Sequence, residues 1–86
     1  MRDIKTSENS YTKALIIKYR LCIAEENGYK TSFEKWYFAT DVLCMTQGRA
    51  YRLLREYPEV KNMSFTECRK ALVQQSDFAY KVANLV

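Results

Sequence analysis

The sequence contains no histidine, one proline, two glycines and three cysteines. Each scarcity excludes something. Without histidine the chain lacks the commonest general base and the commonest metal ligand. Cys22, Cys44 and Cys68 stand 22 and 24 residues apart, far from the close pairs that hold zinc. An odd count without paired spacing is also no disulfide framework. Each cysteine falls in an apolar-periodic segment, so the expected role is a small buried hydrophobe in a reducing, cytoplasmic setting. Phosphate-loop and nucleophile-elbow patterns are missing. The one acidic pair, Glu25-Glu26, would point about 100° apart on a helix, at the end where the helix dipole disfavours negative charge. A solvated surface accounts for it. No catalytic residues, no metal site and no cofactor are therefore expected, and the chain does not read as an enzyme.

The few glycines and the single proline argue against an all-β fold, which needs turn signals every 8–12 residues or so. No apolar run approaches the roughly 18 residues of a membrane-spanning helix, and the polar start, Met1 to Glu8, predicts no secretory leader. What remains is 86 residues, 48% of them apolar, with a net charge of +4. This suits one small helical domain, 1–86, with a modest core. The mild basic bias permits nucleic-acid binding without requiring it.

Periodicity divides the chain into four or five short helices, an all-α bundle. Residues 1–9 read as a flexible arm. A first helix over 10–27 carries two apolar rows, with Lys13, Lys18 and Arg20 as its polar side; so wide an apolar face predicts more than one neighbour. Gly28 supplies its stop. Thr31 and Glu34 form a capping box for a second helix running to about Cys44, in which Phe33 and Trp36 are expected to anchor the core. Ser64 and Glu67 form another box, with Met63 and Cys68 placed to make a hydrophobic staple. Periodicity leaves open whether 64–85 is one helix or two, with Ser76 the alternative start.

The richest stretch lies between these, from Met45 to Pro58. Thr46 is a natural N-cap. Ala50, Leu53, Leu54 and Tyr57 fall at i, i+3, i+4 and i+7, one apolar stripe of a helix. Pro58 ends it near Tyr57. Arg49, Arg52 and Arg55 lie on the other side, with Gln47 and Tyr51 beside them. Arginine can bond guanine O6 and N7 in a bidentate manner, and glutamine adenine N6 and N7. Arg49, at the flank, is better placed for a phosphate, and Lys35 and Lys61 would add phosphate contacts if they border the same face.

Residues 36–55 resemble the helix-turn-helix of bacterial and phage DNA-binding proteins, in which a tight turn joins a support helix to a recognition helix. Ala39 and Leu43 match the inward positions of the support helix, Cys44-Met45-Thr46 the turn, and Ala50 and Leu53 the inward positions of the recognition helix. The resemblance implies that Thr46, Gln47, Gly48, Tyr51, Arg52 and Arg55 point toward the DNA groove. Two positions depart from the pattern. Cys44 stands where glycine commonly takes a left-handed conformation, and Thr40 where a smaller residue is usual. Residues 50–60 also look like a segment of the small terminase subunits of tailed phages, which are helical DNA-recognition proteins.

Two functions follow as expectations. The first is a small DNA-binding protein, a transcriptional regulator or accessory factor of a phage or mobile element, that reads double-stranded DNA with helix 46–57. It would act as a homodimer, since one short helix reads few base pairs, with the apolar segment Phe78–Val86 as the interface. The second is a helical protein–protein interaction module, an inhibitor or adaptor, in which Tyr51, Arg52 and Arg55 serve as interface anchors.

Overall fold

A computed structural model describes residues 10–29 and 31–85. The arm expected over 1–9 lies outside the described residues. The described chain is a small all-α bundle: α1 (Ser10–Glu26), α2 (Ser32–Asp41), α3 (Gln47–Glu56), α4 (Pro58–Lys61), α5 (Phe65–Gln75) and α6 (Asp77–Ala83). α4 is a single turn, begun by Pro58, whose fixed φ and missing N–H suit a first helical position. The open question over 64–85 resolves as two helices. Ser76 breaks the run in an extended conformation, and its hydroxyl accepts from the N–H of Ala79 at 3.1 Å, capping α6. At α5 the capping box closes as its residues dictate, Ser64 with Glu67, and the Cys68 thiol meets the Met63 sulfur at 3.9 Å.

α1 is the post around which the others stand; it packs against α2, α3, α4, α5 and α6. Ala14, Leu15, Ile16 and Ile17 are all fully buried, so the helix has apolar neighbours nearly all round, as its two apolar rows require. Leu54, Val60, Cys68, Leu72 and Ala79 complete the same cluster from α3 to α6.

Arg20 overturns the expectation that it belongs to a polar face. It is 1% exposed. Its Nε donates to the carbonyl of Phe38 at 2.7 Å, and one terminal nitrogen donates to the carbonyls of Ala83 and Leu85 at 2.9 and 2.7 Å. The partners are backbone oxygens at helix ends, where the dipole is negative and carbonyls lack helical donors. Burial lowers the pKa of the guanidinium, and the charge of Asp41 opposes that shift.

Phe33 overturns a second expectation. It is 71% exposed and stacks on Tyr37, itself 62% exposed, with ring centroids 6.1 Å apart. Phe33 sits in the first turn of α2, where the side chain projects off the end of the helix and not into the bundle. Trp36 does pack against the core, half-buried.

Candidate nucleic-acid interface

The site begins with the joint between α2 and α3. The N–H groups of Leu43 and Met45 both donate to the carbonyl of Thr40, at 3.1 and 3.4 Å, and the N–H of Cys44 donates to that of Asp41 at 3.1 Å. The bonds from Met45 and Cys44 make a Schellman stop, which needs a left-handed residue at the position of Cys44. Cys44 has φ 52°, the one non-glycine residue with positive φ among the described residues. A side chain there costs about 1–2 kcal/mol. So the glycine-like conformation is present without the glycine. Cys44 is exposed, against the expectation of a small buried hydrophobe; its position at the outside of the turn, and not the periodicity, decides.

Thr40, the other departure from the pattern, is buried, and its hydroxyl donates to the carbonyl of Trp36 at 2.8 Å. A satisfied hydroxyl can sit where the sequence pattern favours a methyl group. Thr46 is extended, with φ −74° and ψ 156°, and its hydroxyl accepts from the N–H of Arg49 at 3.3 Å. This cap starts α3 directly after the turn.

The outer face of α3 follows from how the inner one packs. Ala50 and Leu54 are buried, and Leu53 and Tyr57 are half-buried against the core, with Tyr57 edge-on to Tyr11 at 5.7 Å. With that stripe inward, Gln47, Gly48, Arg49, Tyr51, Arg52 and Arg55 are all exposed. Gly48 lies in the first turn of the helix, and a Cβ built on it would meet nothing within 4 Å. Neither packing nor backbone conformation requires glycine there.

Tyr51 is held in place. Trp36 meets its ring edge-on at 6.1 Å, and Arg55 and Lys61 lie 5.9 and 6.0 Å from its centroid. Lys61 therefore borders the basic face. Lys35 does not stand free for it: it pairs with Glu25 at 3.7 Å, the one ion pair among the described residues. Arg49, Arg52 and Arg55 thus carry no carboxylate partner there.

On the opposite flank of α3 a groove of about 400 Å³ opens toward the start of α1. Arg49, Arg52 and Glu56 line it from α3, and Ser10 and Lys13 from α1. Lys13 is a member that sequence reasoning missed. No local pattern links it to α3; only the docking of α1 does.

The segment expected to supply a dimer interface is partly spent on the fold. Ala79, Val82 and Ala83 are buried within the chain, while Phe78 and Leu85 are half-exposed. Val86 lies outside the described residues. Among the described residues no cluster of three or more histidine, cysteine or acidic side chains could hold a metal ion, and no helix is long and apolar enough to cross a membrane. No protein-family model, curated protein or solved structure matches this chain.

Proposed function

We propose that this chain is a small protein that binds double-stranded DNA by placing α3 in the major groove, with α2 as its support, and that it does no covalent chemistry of its own. In this reading it serves as a regulator or accessory factor, in keeping with the resemblance to phage and bacterial DNA-binding proteins, and it binds as a homodimer. Gln47, Tyr51, Arg52 and Arg55 face base edges, Arg49 faces a phosphate, and Gly48 lets the helix start approach closely. One observation carries the reading. A capped, basic helix face, free of ion pairs among the described residues, stands on a tight turn whose left-handed residue, Cys44, accepts conformational strain to hold it. Arginine and glutamine on such a face have the donor geometry that base edges require.

The test is titration of the protein with a random pool of duplexes at low salt, followed by recovery of the bound sequences. The expected result is binding that weakens steeply with salt and an enriched motif whose half-site spacing reports the dimer. Arg52→Ala and Arg55→Ala should each relax the preference at one base position, by about 1–3 kcal/mol, without lowering the melting temperature. Absence of duplex binding at low salt defeats the reading.

The exposed Phe33–Tyr37 stack favours a second reading, a protein-interaction module, because surface aromatics are typical interface anchors. A Phe33→Ala, Tyr37→Ala double variant that keeps full DNA binding but loses a protein partner would assign that surface separately.

A further inference from the structure

The outward face of α3 does not account for the groove beside it. The groove joins two helices far apart in sequence, and it gathers three cations, Lys13, Arg49 and Arg52, against one carboxylate, Glu56. None of the three cations is ion-paired with a described residue. Three cations against one carboxylate leave a net positive charge in the groove, and an anion bound between the cations relieves their mutual repulsion. The volume, about 400 Å³, falls in the range of small-ligand sites and has room for a phosphate with part of its sugar. Leu53 and Met45 add apolar surface that a sugar can cover.

We infer that this groove is an oxyanion site that holds one backbone phosphodiester of the bound duplex, with Lys13 as its determinant outside the reading helix. The identity of the occupant rests on the DNA-binding reading. Arg49 offers a planar fork to the phosphate oxygens from one wall, Lys13 offers a point charge from the other, and Arg52, whose fork faces the bases, adds positive charge at the rim. The Ser10 hydroxyl is a further donor. Glu56 gives the site a bias. A phosphodiester carries one negative charge, whereas a phosphomonoester carries about 1.5 to 2 at neutral pH. The carboxylate repels the second charge, so the groove favours the diester of an unbroken strand. A phosphate held between α1 and α3 fixes the rotation of the reading helix, the positioning task that backbone contacts perform in DNA complexes. Arg52 lines the groove and is also exposed on the outer face, so the clamp and the reading surface are continuous.

The experiment measures duplex affinity against salt for the wild type, Lys13→Ala, Glu56→Gln and Lys70→Ala, the last an exposed lysine of α5 outside the groove. Melting curves confirm that each variant is folded. Lys13→Ala is expected to reduce the slope of log affinity against log salt by about one, with an unchanged base preference. Glu56→Gln should bind up to about fivefold more tightly, the scale of one exposed charge interaction. Lys70→Ala should keep the wild-type slope. If the wild type binds duplex DNA but Lys13→Ala keeps its full slope, the groove is not a phosphate site and the DNA-binding reading stands. If the wild type binds no duplex at low salt, both fall.

Discussion

Arg20 is bound twice by Phe38: its Nε donates to the Phe38 carbonyl at 2.7 Å, and the guanidinium carbon lies 4.0 Å from the centroid of the Phe38 ring. With its bonds to Ala83 and Leu85, this one side chain ties α1 to the last turn of α2 and to the end of α6.

Removing that tie should be felt globally. Hydrogen bonds to a charged group contribute about 1.5–3 kcal/mol each, and carbonyls left buried without a donor add their own desolvation cost. Arg20→Met, which keeps much of the volume, is expected to destabilise the fold by about 2 kcal/mol or more in urea denaturation. Arg20→Lys should also lose stability, because an ammonium group cannot span the same carbonyls with a rigid fork. An Arg20→Met variant as stable as the wild type would show that the carbonyls find other donors.

The turn offers an opposite case. Cys44→Gly removes the left-handed cost of about 1–2 kcal/mol and adds a smaller entropic cost of about 0.5–1 kcal/mol. The exposed thiol contributes little packing, so a modest net gain in stability is expected. Cys44→Val should lose stability, since a branched side chain tolerates positive φ least. Equal urea midpoints for the glycine and valine variants would contradict the strain at this position.

Gly48 separates stability from binding. Gly48→Ala places a methyl group in open space and gains helix propensity, up to about 1 kcal/mol. The same methyl group stands where the duplex backbone or base edges would approach. The variant should therefore melt higher and bind DNA more weakly. A variant that melts higher and binds equally well would remove Gly48 from the interface.

Alkaline pH should erode the fold through its buried thiol. Burial pushes the Cys68 pKa from 9.0 up to about 12. Above the lower value the unfolded chain loses a proton that the folded chain keeps. The stability tied to the neutral thiol is whole below pH 9 and is lost as pH rises toward 12. Tyr19 and Cys22, also raised chiefly by burial, act in the same direction. Urea midpoints at about pH 7 and about pH 10.5 should fall less for Cys68→Ala than for the wild type under reducing conditions.

The caps and the stripe of α3 were legible because their causes are local. Thr46, Ser64 and Ser76 each bond an N–H three residues on, and the inward set of α3 follows from helical spacing. The left-handed turn was legible as a requirement, though the residue filling it spoke against it. Arg20 was hidden because its partners are 18, 63 and 65 residues away. One signal pointed inward: Arg20 stands midway between Ile16 and Ala24 on a single row, and both are buried. Lys13 belongs to the groove only through the docking of α1, which no spacing encodes. Phe33 was misplaced because hydrophobicity gives no direction to a side chain at the first turn of a helix.

The joint at residues 40–46 has an evolutionary consequence. Its geometry is held by backbone bonds to Thr40 and Asp41 and by the Thr46 cap. The outer residues Gln47, Arg49, Arg52 and Arg55 make no side-chain hydrogen bond or ion pair with a described residue. Exchanges at such positions usually change stability by no more than about 0.5 kcal/mol. If α3 reads DNA as proposed, scaffold and specificity are thus separable: a lineage can rewrite what α3 contacts, one position at a time, without passing through an unfolded intermediate. The same separation makes α3 a natural place to graft a new target preference onto this chain.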